Sequence, residues 1–281
     1  MTRSRADIST HETGLEQGSA DSRPYIWVTR PQPQADVHAA ALAEHGLRPL
    51  LSPVLSIRKL PVPKTPPLVP EAVTGLIFTS LNGVLHFPEP WIAAFARHPV
   101  FASGTATLEA AKRAGFTDVH GSTGAGSRGM LDSVRTTIPA EKSAHAPALL
   151  YVAGATRTPF LEAALAPNYE LTLVETYQAE LAAQLTPLAI EAFAANQVAA
   201  VTLFSSRSAG HAAKLLQDSF GTRADDVLGS LLAVCISPSV ATKARQSGFT
   251  RIAISNIETA DSMAKKLVEQ LKIGAIQTNL L

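Results

Sequence analysis

The sequence predicts an α/β protein made of two similar domains, each built on a parallel sheet. Three observations carry that reading. Short apolar runs alternate with helical patterns along the chain, the order that parallel strands require. One strand-to-helix junction is written twice: Leu76-Ile77-Phe78 runs into Thr79, Ser80, Leu81, Asn82 and Gly83, and Val201-Thr202-Leu203-Phe204 runs into Ser205, Ser206, Arg207 and Ser208. A longer repeat follows each junction. Lys112-Arg113-Ala114-Gly115-Phe116-Thr117 answers to Arg245-Gln246-Ser247-Gly248-Phe249-Thr250, and Met130 and Met263 stand at the same offset as Gly115 and Gly248.

In chain order, Tyr25 to Val28 is a strand ending in Thr29, Arg30 and Pro31. A helix from about Ala35 to His45 follows and stops at Gly46, where a residue without Cβ closes it. Leu50 to Ile57 is extended, interrupted by Pro53, which belongs at an edge or a crossing. Five prolines among the eleven residues Leu60 to Pro70 make a stiff connection and a candidate domain boundary. After the Leu76 strand a helix starts near Asn82 and is broken by Pro88 and Pro90; another covers Trp91 to Arg97. Val100 to Ala102 is a strand, and Ser103 to Thr107 opens a helix ending at Gly115. Thr117 to His120 is a strand, Gly121 to Gly129 a loop, and Met130 to Ile138 a helix. Leu149 to Ala153 is a strand ending at Gly154, Thr156 and Arg157; a helix reaches about Ala166, and Tyr169 to Glu180 is extended. The remainder reads strand Val198 to Phe204, helix from Ser208, strand Leu231 to Ile236, helix to Gly248, strand Arg251 to Ser255 and helix from Asp261 to about Leu271.

The units Tyr25–Ile57 and Leu149–Glu180 share one design of strand, Arg-bearing loop, helix and extended crossing. Each domain therefore owns one such unit and one strand–helix triplet. Pattern alone leaves the pairing open, with tandem order as the default.

The bulk numbers exclude several classes. A chain of 281 residues, 46% hydrophobic and 17% charged, is long enough and apolar enough for two packed cores. Lys plus Arg is 24 against 23 Asp plus Glu, so no global field draws it to nucleic acid or to an anionic membrane. The single cysteine, Cys235, lies in the apolar run Leu231–Ile236, which excludes a disulfide framework, fits a reducing compartment and suits an inert buried thiol. No window approaches the ~18 apolar residues of a membrane helix. Residues 1–23 lack the apolar core of a secretory signal, and Asp7, Glu12, Glu16 and Asp21 argue against a transit peptide. They read as a disordered tail on a cytoplasmic protein.

Gly124 to Gly129 has the spacing of a dinucleotide-binding fingerprint, but the next strand ends in Gly154 where a ribose-binding acid is required. A loop before a helix is the better account. The eight histidines are scattered without metal-ligand spacing, and there is no phosphate loop, nucleophile elbow or carboxylate pair at a strand end. What remains is a set of strand-end hydroxyls and amides: Thr29, Thr79, Ser80, Asn82, Thr105, Thr107, Ser205, Ser206, Ser208, Ser237 and Ser239. Any one of them alone reads more readily as a helix cap. Six successive strand ends dressed this way point to a cleft rich in N–H donors, suited to an anionic ligand even at a net charge of +1. Tyr177, in the crossing segment Val174–Gln178, is either an aromatic packing residue or a hydroxyl placed at that cleft.

In their order, the pieces Val28-Thr29-Arg30-Pro31, Ile77 to Gly83, Gly104-Thr105-Ala106-Thr107, the segment with Tyr177, Phe204 to Ala209 and Ile236 to Ala241 resemble the uroporphyrinogen-III synthase family from Tyr25 to Leu271. The resemblance implies two doubly wound parallel-sheet domains, flavodoxin-like or Rossmann-like, joined by a two-strand hinge, with the first domain discontinuous. Residues 24–50 plus 181–275 would form that domain, 60–171 the second, and 51–59 with 172–180 the hinge. It implies a lyase that closes hydroxymethylbilane, a linear tetrapyrrole with eight carboxylates, with inversion of ring D and loss of water. No cofactor and no metal are implied. The partners implied are this substrate and transient channelling from hydroxymethylbilane synthase, with no nucleic acid, no membrane and a monomeric state.

By the same resemblance Tyr177 and Thr107 are catalytic. The substrate would be held by Thr29, Arg30, Thr79, Ser80, Asn82, Gly104, Gly154, Arg157, Ser205, Ser206, Arg207, Ser208, Ser237, Ser239 and Val240. Ser237 and Val240 stand where the family commonly has Gly and Thr, so Val240 can serve only through its main-chain N–H. Two other classes compete: a non-catalytic two-domain protein closing on a small anion, and a two-domain glycosyltransferase, which lacks its acidic sugar-binding residues here.

Overall fold

Parallel strands can be joined only by a crossover of a dozen or more residues, so the chain must leave the sheet after each strand and return through a helix. In a computed structural model describing residues 22–122, 126–140 and 145–278, the strands are, in chain order, β1 (Tyr25–Val28), β2 (Arg48–Leu51), β3 (Leu55–Lys59), β4 (Val73–Phe78), β5 (Pro99–Ala102) and β6 (Asp118–Gly121). They continue as β7 (Ala148–Gly154), β8 (Glu170–Leu181), β9 (Val198–Leu203), β10 (Leu232–Cys235) and β11 (Arg251–Ile254). The helices are α1 (Gln34–Glu44), α2 (Leu81–Leu85), α3 (Glu89–Phe95), α4 (Thr105–Ala114), α5 (Gly126–Thr137) and α6 (Phe160–Leu165). After them come α7 (Pro187–Ala194), α8 (Ser206–Phe220), α9 (Ala224–Ser230), α10 (Pro238–Gln246) and α11 (Ala260–Thr278).

The strands form two sheets. One is wholly parallel in the order β11-β10-β9-β1-β2; the other runs β3-β8-β7-β4-β5-β6, parallel except for β3. Alternation along each strand sends side chains to both faces, and both faces are covered. Trp27, Val201, Leu203, Ala233 and Cys235 pack beneath α7 to α10, while Ile26, Val28, Ala200 and Val234 meet α1 and α11. In the second sheet Leu76, Phe78, Leu150 and Val152 pack on α2, α3 and α4; Ile77, Phe101, Leu149 and Tyr151 pack on α5 and α6. Gly75 is where β4 passes closest to this layer: a Cβ there would lie 2.9 Å from Ile138 and 3.1 Å from the Phe101 ring.

The tandem pairing expected by default does not occur. The opening unit β1–β2 joins the distant triplet β9–β11, and the unit β7–β8 joins the triplet β4–β6. Ile26, Trp27 and Val28 are fully buried, so β1 needs neighbours on both sides and finds them in β2 and β9. Apart from β3, which edges the second sheet, both sheets share one plan: the second strand of the unit, its first strand next, then the triplet in order. Gly115 and Gly248 end α4 and α10 at φ of +107° and +101°, and Phe116 and Phe249 are buried just beyond them. The internal repeat therefore marks equivalent places in the two sheets.

Joining units this way makes the chain cross between sheets twice, once before β3 and once after β8. These two strands pair antiparallel, from Leu55 opposite Leu181 to Lys59 opposite Tyr177. The crossing is anchored at Ser52, whose carbonyl accepts the Trp27 indole N–H at 2.7 Å and whose hydroxyl accepts the Thr186 N–H at 3.0 Å.

Some boundaries differ from those expected. Helix α5 begins at Gly126, so Gly126 to Gly129 belong to its first turn and not to a loop; residues 123–125 of the expected fingerprint loop lie outside the described residues. Burial of Met130, Leu131 and Val134 against the sheet outweighs the low helix propensity of its two glycines. Helices α7 and α9 occupy stretches with no element expected; α7 has a Thr186 cap, Pro187 at its first position and a buried Phe193. Of the expected N-terminal tail, residues 1–21 lie outside the described ones.

Phe78 is fully buried and touches Phe87 edge-on at 5.3 Å and Phe116 at 5.7 Å. Phe78→Ala should lower unfolding free energy by about 3–5 kcal/mol, the usual cost of emptying such a site. Urea titration followed by circular dichroism checks this.

Candidate functional site

In a parallel sheet all strands end on the same edge, so the helices that follow start there with their unpaired N–H groups outward. Ligands bind at that edge where the strand order reverses, because the flanking helices leave in opposite directions. In the first sheet the reversal lies between β1 and β9, where Arg30 and Ser205 emerge; in the second it lies between β4 and β7, where Ser80 and Thr156 emerge. The two edges face each other. Between them lie a cavity of about 720 Å³ and an adjoining one of about 450 Å³, with Arg30, Gln34, Leu81, Phe204 and Ser205 lining both.

The larger cavity is bounded by the starts of five helices: Leu81 of α2, Thr105 and Ala106 of α4, Ser206 of α8, Ser239 and Val240 of α10, and Thr259 and Ala260 at α11. Ser205 caps α8 by accepting the Ser208 N–H at 3.0 Å, and its hydroxyl lies 2.8 Å from that of Ser208. Ser80 caps α2 by accepting the Asn82 N–H at 3.2 Å. Capping and cleft-lining thus coincide in these residues, since one cap oxygen satisfies one N–H and leaves others of the first turn unpaired by the helix. Ser237 caps nothing with its side chain and instead pairs with the Ser239 hydroxyl at 3.0 Å. The α10 start keeps its Ser239 and Val240 N–H groups free of intrahelical partners.

The smaller cavity adds Ser80, Asn82, Thr156, Tyr177, Arg207 and Ser208. Tyr177 comes from β8 and stands half-buried, its ring 5.9 Å from that of His86. Gly154 lies directly behind it: a Cβ there would be 2.8 Å from the tyrosine ring, so only glycine permits this approach. Arg207 donates to the Ala179 carbonyl at 3.0 Å, tying α8 to the crossing strand.

Other expected site residues are not on these walls. Thr29 is fully buried and donates its hydroxyl to the Thr202 carbonyl at 2.6 Å. Thr79 pairs with the Tyr151 hydroxyl at 3.4 Å. Thr107 is only 4% exposed, inside the first turn of α4, and Gly104 supplies that helix's N-cap at φ +75°. Arg157 spends its N–H groups on Glu162 at 2.6 Å, Glu175 at 2.7 Å and the Gly154 carbonyl at 3.1 Å, so its charge is answered within the chain. Gln34, Phe204, Glu109, Arg113 and Glu258 line the larger cavity without having been singled out. No local signal marks them, because each reaches the cavity only through the meeting of segments far apart in the chain.

The electrostatics of the site centre on Arg30. Its guanidinium lies 4.2 Å over the Phe204 ring, and burial draws its pKa down to about 10, leaving it charged at neutral pH. His38, fully buried, meets the same ring edge-on at 4.9 Å. Burial first and Arg30 second push its pKa down to about 4, so it is neutral there. Cys235 is buried, and desolvation raises its thiol to about 11, in keeping with an inert hydrophobe. Among the described residues no group of three or more His, Cys, Asp or Glu is placed to hold a metal, and no helix is long and apolar enough to cross a membrane.

A depressed histidine pKa means that the unfolded chain binds the proton first. Stability carried by neutral His38 is therefore present above pH 6.5 and is lost as pH falls toward 4, by up to ~3 kcal/mol. Urea unfolding between pH 7 and 4.5 should show this slope, and His38→Leu should flatten it.

The family model described as uroporphyrinogen-III synthase HemD matches residues 36–265. Among solved structures, a mutant uroporphyrinogen III synthase from the extremely thermophilic bacterium Thermus thermophilus is 20% identical, with 89% of this chain and 99% of that one covered at a TM-score of 0.56. The uroporphyrinogen-III synthetase from Helicobacter pylori is 17% identical, with 88% and 99% covered at a TM-score of 0.57. At these identities the likeness speaks for the fold. A search of curated protein sequences finds no match. With the family model spanning most of the chain over a two-domain α/β fold, the chain belongs to the uroporphyrinogen-III synthase family.

Proposed function

We propose that this protein closes hydroxymethylbilane to uroporphyrinogen III, inverting ring D and releasing water, without a cofactor. The observation that carries the reading is the facing of two strand-reversal edges across one cleft, each crowded with helix N-termini. The substrate's carboxylates are answered by main-chain N–H groups of α4, α8 and α10, by the hydroxyls of Ser80, Ser205, Ser206, Ser208, Ser237 and Ser239, by Asn82 and by Arg30 and Arg207. Such neutral donors bind many anions without needing more than the net charge of +1 that this chain carries.

The bilane closes unaided to the uninverted isomer, so the enzyme's contribution is orientation more than activation. Tyr177 donates a proton to the departing terminal hydroxyl, which leaves as water and gives a protonated azafulvene beside the tyrosinate. The substituted position of ring D attacks it to form a spiro intermediate, which opens and recloses with that ring reversed, and the ring proton lost on closure restores Tyr177. Thr107, buried in the first turn of α4, serves through its main-chain N–H. Gly154 serves by admitting Tyr177 to the wall. Thr29, Thr79 and Arg157 act behind the wall, holding β9, Tyr151 and β8 in place.

Residues 24–50 with 181–275 act as one domain and 60–171 as the other, with 51–59 and 172–180 crossing between them. Both walls of the cleft come from one chain, which supports action as a monomer; transient channelling from hydroxymethylbilane synthase would shield the unstable substrate in transit.

Coupled to a source of hydroxymethylbilane, the purified protein should give predominantly isomer III on chromatography of the oxidised porphyrins. Isomer I alone, formed at the unaided rate, overturns the proposal. Tyr177→Phe should lower kcat by about 10²-fold, the usual worth of a positioned proton donor, with the melting temperature nearly unchanged. Equal loss of both would make Tyr177 a packing residue.

A further inference from the structure

A tetrapyrrole presents two opposite kinds of polar group. Its carboxylates accept hydrogen bonds, but each pyrrole carries an N–H that must donate one. A cleft walled by helix N-termini, serine hydroxyls and guanidinium groups is built for the first kind and has few buried acceptors for the second. The acceptors on its walls are therefore informative. Glu109 and Glu258 both line the larger cavity, but both are exposed to water.

Gln34 is different. It opens α1, lines both cavities and is only 7% exposed. Its amide N–H, from Nε2, donates to Asn82 Oδ1 at 3.1 Å across the cleft, linking α1 of the first sheet to α2 of the second. Its Oε1 is buried with no hydrogen-bond partner, alone in this among the described residues lining the two cavities. A buried acceptor left unpaired is costly, and one on a ligand-cavity wall finds its partner in the ligand. With Nε2 bonded to Asn82, Oε1 is the end of the amide left unpaired, and it has almost no accessible surface, so a donor reaches it only by displacing the atoms that cover it.

We infer that Gln34 is a substrate-binding residue, its Oε1 accepting a pyrrole N–H of the bilane while Asn82 positions it from the opposite wall. The inference rests on the synthase reading above and adds a second recognition element to it, one that reads the pyrrole itself and not its carboxylates. It also makes the acceptor depend on the two walls being together, since the Gln34–Asn82 bond spans them.

The test compares two carboxylated monopyrroles, one with a free N–H and one N-methylated, by calorimetry on the full chain and as competitors of isomer III formation. On the unsubstituted protein the free N–H compound should bind about tenfold more tightly, the worth of one net hydrogen bond. Gln34→Met, similar in length but without the amide, should abolish that preference and raise KM for the bilane with kcat and melting temperature little changed. Asn82→Ala, which keeps Oε1 but frees it, should weaken the preference without abolishing it. Equal binding of both compounds by the unsubstituted protein overturns the inference, whatever the variants do, and so does a preference retained in Gln34→Met. Failure of the synthase reading is separate: it is seen as isomer I alone, while the calorimetric comparison still reports on Gln34.

Discussion

An α-helix cannot satisfy the first N–H groups of its own backbone, and this constraint shapes the whole molecule. Parallel strands send every following helix out from one edge, so each sheet concentrates its unsatisfied donors there. Two such sheets set edge to edge enclose a cleft whose donors come from the backbone, and whose anion affinity owes little to basic side chains. Arg30 and Arg207 add charge at two points, and Arg30 sits over Phe204, where burial lowers its pKa only to about 10 and so leaves it charged. A chain with a formal net charge of only +1 can in this way hold a polyanion without attracting nucleic acid.

The edges face each other because the chain crosses between the sheets twice. A single linker would leave their relation to chance, whereas β3 and β8 run side by side and extend the second sheet. Ser52 locks the Leu55–Leu181 end of that ribbon into the first sheet through Trp27 and Thr186, and Arg207 and His211 of α8 reach the Ala179 and Ala182 carbonyls at the same end. Tyr177 lies on the same ribbon. Paired there with Lys59 on one side and Gly154 on the other, its side chain lines the smaller cavity, the position from which a proton could be handed to a substrate held by both walls.

The circular relation between the sheets gives the repeat its meaning. Equivalent units occur in opposite chain order, so the segment that opens the chain can complete the sheet that closes it. The repeated Gly-Phe-Thr turns, with Gly115 and Gly248 both left-handed, end equivalent helices on the outer side of each sheet. The junctions at Ser80 and Ser205 are equivalent caps on the two inner edges.

Strands, most helices, the repeat and the donor-rich character of the strand ends were legible in the sequence, because they rest on local matters: apolar runs, caps such as Ser205, and glycines such as Gly115 that readily take positive φ. The pairing of units was not legible by pattern, since strands of similar apolar character match either partner; a double crossing and burial of β1 on both faces decided it. Residue types at strand ends likewise could not separate Ser206, which reaches the cavity, from Thr29 and Thr79, whose hydroxyls turn back to the Thr202 carbonyl and to Tyr151. Gln34 shows the limit most plainly. Nothing in Pro31-Gln32-Pro33-Gln34 distinguishes one glutamine from the other, and only the fold bonds the second to Asn82 of the opposite sheet and leaves its oxygen buried without a partner. Local chemistry is written in the sequence, but which groups meet across a cleft depends on contacts between segments far apart in the chain.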